Sequence, residues 1–265
     1  LNRVAIKKLK ETITPEKKVV KKGVKKAVKE VLKKPIKPAT EKKVNLVSKA
    51  IAQREINTLL QTYPEAECEL DYKTDFQLLI AVILSAQSTD VTINKVTPEL
   101  FRHYPTPKDL ADADIEHIKK LIKQSGFFNA KAKNIQACAR DIVTKHGGVV
   151  PTVHEQLIAL PGVGRKTANV VLGVAHGVSG WSVDTHVQRL SRRLGFTKET
   201  DPYKIELGLQ KLFPGQDWSK LSITLIFHGR RCCYARKPDC PKCPINDICP
   251  SSEVRPCEVA KSLAF

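Results

Sequence analysis

The sequence predicts an all-α protein, and three observations carry that prediction. Apolar residues recur at helical spacing through residues 46–231, as in Ala168, Val171, Leu172 and Ala175; this is the period of a helix with one buried face. No stretch alternates apolar and polar residues for long enough to make a useful strand. The gaps between periodic segments are short and marked by Pro or Gly, as expected where helices pack on their sequence neighbours.

The first segment, residues 1–45, contains no aromatic residue, and residues 1–49 hold seventeen Lys/Arg against four Glu. Such a composition buries too little apolar surface to fold alone. Val20, Val24, Ala27, Val28, Val31 and Leu32 nevertheless share one helical face. We expect a disordered tail that gains helix on a polyanion, bound through counterion release without sequence choice; a solvated extension without function and a basic amphipathic helix on a membrane surface are the alternatives.

Residues 46–63 predict an amphipathic helix, stopped at Tyr63-Pro64. Residues 75–87 predict a strongly apolar helix with Asp75 as its N-cap. A further helix starts at Ser88 or Thr89. Pro105 and Pro107 mark a loop, and short helices follow at 108–113 and 115–124. Gly126-Phe127-Phe128-Asn129 reads as a turn with two exposed aromatics before a helix over 130–146. Gly147-Gly148 closes that helix, since glycine takes the left-handed C-terminal position at no steric cost. The remaining helices are predicted at 184–195, 202–212 and 218–231.

Between them lies residues 157–186, LIALPGVGRKTANVVLGVAHGVSGWSVDTH. It reads as helix, turn, helix, with Pro161-Gly162-Val163-Gly164 permitting a tight turn with positive φ. Gly162 and Gly164 expose backbone N–H groups at a helix N-terminus, a site for one phosphate. On glycine spacing alone, a plain helical hairpin inside a core fits as well. Lys166, beside Arg165, lies in the first turn of the second helix. An amine placed near positive neighbours and partly buried can act as a nucleophile. Asp184 caps the next helix. Facing such a lysine, it could also shuttle a proton or stabilise a cation developing on a sugar. His186 reads as structural.

Charge and cysteine usage bound the partners. The net charge is +18 with a pI of about 9.6, which points to a polyanion. Most of that charge lies in the first 49 residues, so the rest is only mildly basic. No apolar run is long enough for a transmembrane helix, and no secretory h-region is present. The chain has no methionine and starts at Leu1, so we expect a natural N-terminus that is longer or processed. Five of the eight cysteines fall within residues 232–249. That reads as a metal site in a reducing compartment, not a secreted disulfide framework. Cys233-x6-Cys240-x2-Cys243-x5-Cys249 suits one tetrahedral centre or one cubane, and spacing leaves zinc and iron–sulfur both open. Arg230, Arg231, Arg236 and Lys237 border the first loop, so the metal would hold a basic loop in shape against phosphates.

These motifs in order, LPGVGRKTANVVL, VDTH and HGR-x2-C-x6-C-x2-C-x5-C, together with LLIAVILSAQSTD and SGFFNAKAKNI, resemble the endonuclease III family of DNA glycosylases. The likeness runs from about residue 46 to 250. It implies an all-α helix-hairpin-helix DNA glycosylase fold: a six-helix barrel over residues 68–178, and a discontinuous iron–sulfur domain from 46–67 and 179–257. A C-terminal tail at 258–265 completes the chain, and DNA lies across the cleft between the domains.

Carried over to this sequence, the resemblance makes Lys166 the Schiff-base lysine and Asp184 the catalytic aspartate. Cys233, Cys240, Cys243 and Cys249 become ligands of a [4Fe–4S] cluster. Gln87 would fill the gap left by an extruded base. Phe127 stands where the family often has a leucine wedge. Gly162, Gly164, Arg165, Arg236 and Lys237 would contact DNA, and Cys232 has no ligand counterpart. The implied activity is a bifunctional DNA glycosylase/AP lyase of base excision repair. It would remove oxidised pyrimidines from double-stranded DNA and act on abasic sites, as a monomer and without a membrane. The implied setting is cytoplasm or nucleoid in a prokaryote, nucleus or mitochondrion in a eukaryote. Adenine-specific mismatch glycosylases share the motifs but normally lack a lysine at position 166 and carry an extra C-terminal domain. A non-catalytic DNA-binding module would need neither Lys166 nor Asp184.

Overall fold

The computed structural model describes residues 45–178 and 180–254, which form eleven α-helices, two 3₁₀ turns and, among the described residues, no strand. The lysine-rich segment to residue 44 and residues 255–265, with the expectations made for them, lie outside the described residues.

Helix α1 (Lys49–Thr62) is capped by the Ser48 side chain, which accepts from the Ile51 N–H. Helix α2 (Asp75–Leu84) is buried along almost its whole length, from Phe76 and Leu78 through Leu84. Apolar all round, it can only be a central helix. Each fully enclosed Leu or Ile there contributes about 1.5–3 kcal/mol. Its N-cap is Thr74, whose side chain accepts from the Gln77 N–H. The expectation for Asp75 is corrected: it is the first helical residue, and its carboxylate reaches His176 at 3.3 Å.

Helices α3 (Asp90–His103), α4 (Pro107–Ala111) and α5 (Ile115–Leu121) follow, each entered through a side-chain cap from Thr89, Thr106 or Asp114. A 3₁₀ turn (Lys123–Ser125) leads into α6 (Phe128–His146), which starts two residues earlier than its apolar period suggests. Short α7 (His154–Ile158) and long α8 (Arg165–His176) form the helical hairpin. Then come α9 (Thr185–Arg193), α10 (Pro202–Leu212) and α11 (Trp218–Arg231), capped by Asp184, Asp201 and Asp217. A last 3₁₀ turn spans Cys240–Lys242. None of the described helices is long and apolar enough to cross a membrane.

The described chain builds two hydrophobic cores. The first runs from Leu70 to Leu172, with α2 packed between α8, α6 and α3. The second joins Ala52–Ala66 to Trp181–Ile248, and α11 packs on both α1 and α9. Helix α11 also touches α8, where Gly173 makes the approach possible: a Cβ there would stand 1.8 Å from the Ser219 hydroxyl oxygen. This crossing brings the two cores edge to edge.

Candidate active site

The hairpin turn shows why its two glycines are not equivalent. Gly162 has φ +79°, and a Cβ there would sit 3.0 Å from Asn134 Cβ and 3.3 Å from Ile83 Cγ2. Both conformation and space demand glycine. Gly164 has φ −99° and ψ 176°, extended backbone open to any residue. A Cβ there meets nothing within 4 Å. Only Gly162 therefore needs the positive φ expected of the turn, while Gly164 leaves the start of α8 uncovered. No side chain caps α8, so its first-turn N–H groups keep their partial positive charge for an incoming anion.

Lys166, in that first turn, and Asp184, the N-cap of α9, line the same cleft. The cleft encloses about 710 Å³ including its open mouth, and both cores contribute to its wall: Leu70 and Val82 from the first, Phe227 from the second. Asn169, three residues past Lys166, donates through Nδ2 to the Trp181 carbonyl at 2.7 Å. Ser222 on α11 accepts from the Ser182 N–H at 3.0 Å. The segment ending in Asp184 is thus tied to both helices, and the Asp184 carboxylate accepts from the Val187 N–H at 2.8 Å. Asn169 is a functional neighbour that sequence reading misses. Its only signal is a polar residue on an otherwise apolar helix face.

His186 stays out of the cleft and packs where α9 meets α11. Burial pulls its basicity below the ordinary histidine value, with Arg189 and Arg230 acting in the same direction and Asp184 opposing them.

The basic residues divide into two groups. Arg165 holds Glu206 through two hydrogen bonds and lies 4.8 Å over the Tyr203 ring. Arg230 pairs with Glu69 and with Asp90, the latter at 2.8 Å, and Arg231 pairs with Glu65 at 2.6 Å. Arg230 and Arg231, expected to border the basic metal loop, are exposed but engaged in these ion pairs, because the acidic 65–69 segment lies alongside α11. Arg236 and Lys237 are exposed and make no ion pair among the described residues.

Three non-glycine residues among those described have positive φ: Gln87 (55°), Phe127 (48°) and Lys237 (50°). All three are residues that the sequence assigns to DNA. Gln87 is exposed just beyond Ser85, which lines the cleft. Phe127 is 68% exposed, whereas Phe128 packs against the first core. Lys131 anchors this turn: its buried ammonium donates to the Ser125 carbonyl at 2.7 Å, and burial lowers its pKa.

Cys233, Cys240, Cys243 and Cys249 are half-buried free thiols, and all but Cys240 pack against the second core. Arg193 donates to the Cys233 sulfur at 3.3 Å and to the Tyr234 and Ala235 carbonyls. A guanidinium aimed at sulfur suits a thiolate. Burial pushes the Cys249 thiol up to about 12; such thiols release protons when a metal displaces them. Cys233, Cys240, Cys243 and Cys249 are by their chemistry a donor set that fits a metal cluster. Cys232 and His228 are buried beside Cys243.

The hairpin, the cleft and the cysteine loop together define a helix-hairpin-helix base-excision repair protein. Residues 80–215 match the HhH-GPD superfamily base excision DNA repair protein family. Endonuclease III of Synechocystis sp. is 53% identical over 210 residues, 78% of this chain and 96% of that relative. Two solved structures, a non-covalent endonuclease III–DNA complex and a trapped endonuclease III–DNA covalent intermediate, each superpose with a TM-score of 0.76 at 41% identity. Each match covers 78% of this chain and 98% of the other. The chain belongs to the endonuclease III family.

Proposed function

We propose that this chain is a bifunctional DNA glycosylase/AP lyase that excises oxidised pyrimidines from duplex DNA. The observation that carries the reading is the placement of Lys166 and Asp184 on one cleft, below an uncapped helix start. A damaged base is everted into the cleft at an unstacking cost of a few kcal/mol, least for a lesion. Gln87 and Phe127 keep the gap open, as inserted side chains do elsewhere. The first-turn N–H groups of α8, with Gly164, grip one phosphate; Arg236 and Lys237 bind others.

Lys166 Nζ bonds to C1′ of the sugar as the C1′–base bond breaks, and the base leaves with the electron pair and takes up a proton. Nζ then loses a proton, its lone pair opens the C1′–O4′ bond as O4′ takes up a proton, and the resulting protonated imine acidifies C2′. Loss of that proton expels the 3′ phosphate and cuts the strand, and water then frees the lysine. Asp184 moves the proton between lysine and leaving groups and stabilises positive charge on the sugar. Arg165, held by Glu206, fixes the first turn of α8.

Cys233, Cys240, Cys243 and Cys249 would hold a [4Fe–4S] cluster, which supplies a rigid cross-link for the 233–249 loop when bound. Residues 46–67 with 179–257 act as one domain and 68–178 as another, and the protein works as a monomer.

Borohydride trapping on a duplex with one abasic site tests the reading. The parent protein forms a covalent adduct and Lys166→Ala does not. No adduct with the parent overturns it. A duplex panel with single defined lesions then tests the preference for oxidised pyrimidines.

A further inference from the structure

Among the described residues that line the cleft, Lys166 and Arg230 are the cations. Arg230 lies one residue from the end of α11 and lines the cleft together with both of its acidic partners, Glu69 and Asp90. The chain beside it abuts the segment that carries Asp184. A Cβ on Gly229 would stand 2.7 Å from His186 Nδ1 and 3.0 Å from Arg189 Nη2. Asp184, two residues before His186, and Arg230, one residue after Gly229, therefore stand at one meeting of α9 and α11.

The two carboxylates fix the guanidinium without exhausting it. Nη1 donates to Glu69, and Nη2 lies 2.8 Å from Asp90, which leaves further N–H donors of the fork for the cleft. The side chain keeps 38% of its exposure. Other groups of the wall are committed elsewhere. The Ser85 hydroxyl donates to the Val82 carbonyl at 2.9 Å, Lys166 acts on the sugar in the proposed reaction, and a carboxylate only accepts. Glu67, Glu69, Asp90 and Asp184 make the wall acidic, so an anion forming there needs a directed donor.

We infer that Arg230 donates to the carbonyl oxygen beside the glycosidic nitrogen of the everted pyrimidine and stabilises the charge that the base takes as it leaves. The inference rests on the glycosylase reading above and adds to it the group that meets the base. As the bond from C1′ to the base nitrogen breaks, the electron pair goes to that nitrogen and spreads onto the ring carbonyls. A guanidinium already held in place stabilises this charge and gives up no proton. The proton that ends on the base comes by way of Asp184. In a pyrimidine that keeps its ring double bond, the charge reaches both carbonyl oxygens. Saturation of that bond cuts the path to the far carbonyl, so the near one takes all the charge that leaves the nitrogen. Arg230 therefore matters most for ring-saturated pyrimidines.

The test compares the full chain with Arg230→Gln in single-turnover base release from duplexes holding one dihydrouracil or one hydroxyuracil, and in cleavage of a duplex with a preformed abasic site. Arg230→Gln is expected to slow release of dihydrouracil by roughly 10²–10³-fold and that of hydroxyuracil by roughly tenfold. Cleavage at the abasic site, where no base departs, should keep the parent rate. Arg230→Lys keeps a cation between Glu69 and Asp90, and it should rank the three substrates in the same order with smaller losses; it carries the test if the glutamine variant fails to fold. Unchanged base release, equal loss on the two bases, or an equal loss on the abasic duplex, as a merely structural ion pair would give, each overturns the inference. A parent chain that cleaves no abasic duplex overturns the glycosylase/AP lyase reading instead.

Discussion

Arg165 and Glu206 form a bidentate ion pair: guanidinium Nε and Nη2 each stand 3.0 Å from a different carboxylate oxygen. The Glu206 side chain is 6% exposed and that of Arg165 46%. The same carboxylate accepts from Asn169 Nδ2 at 3.2 Å, so three residues lock α8 to α10.

The pair is asymmetric, and that sets the prediction. Arg165→Ala leaves a buried carboxylate with one neutral donor and is expected to cost about 2 kcal/mol, below the usual range for a fully enclosed pair because the arginine is half exposed. Arg165→Ala with Glu206→Gln should recover part of that loss. Urea midpoints of the single and double variants check it.

Asp184 has two roles that substitution can separate. Asparagine caps a helix as well as aspartate does, so Asp184→Asn is expected to keep stability near the parent value while slowing base release by roughly 10²–10⁴-fold. Asp184→Ala should lose about 1 kcal/mol in addition. Equal activity in Asp184→Asn and the parent, in single-turnover assays, would contradict the role.

The left-handed backbone at Phe127 starts α6, whose Ala130 and Lys131 N–H groups donate to the Phe127 carbonyl, and the ring itself is largely exposed. Phe127→Gly is expected to stabilise the protein by about 0.5–1 kcal/mol and yet slow release of a paired, damaged base. Thermal melts and single-turnover kinetics should move in opposite directions. A loss of stability would mean that the ring packs rather than wedges.

His186 supplies a pH dependence of definite sign. Its pKa in the fold lies below the ordinary 6.5, chiefly through burial. The unfolded chain therefore binds the extra proton first as pH falls, and the stability that depends on a neutral ring is lost as pH drops from about 6.5 through the folded value. His186→Gln is expected to differ most from the parent above pH 6.5, with the gap narrowing in acid. Denaturant midpoints from pH 7 downwards measure it.

Helix positions were legible because their signals are local. Thr89, Asp184, Asp201 and Asp217 cap the helices they precede, and Gly147 and Gly177 end theirs in left-handed turns. Asp75 misled because Thr74, itself a residue that caps helices, stands one residue earlier. The residues of the candidate site were legible as motifs, but their company was not. Glu206 lies 41 residues from Arg165, and Asn169, Glu69 and Asp90 reach their partners only once the helices pack. Nor does sequence reveal that Gln87 and Phe127 are strained, since neither is a residue that favours positive φ.

The two cores differ in how they are threaded, and this bears on synthesis. The Leu70–Leu172 core comes from one unbroken stretch, so it can close as soon as that stretch leaves the ribosome. Helix α1 emerges earlier, but its apolar face waits for Trp181 and everything beyond it. A nascent chain therefore carries a sticky, unmated helix while the whole first core is made, and the half that holds Cys233, Cys240, Cys243 and Cys249 matures after it.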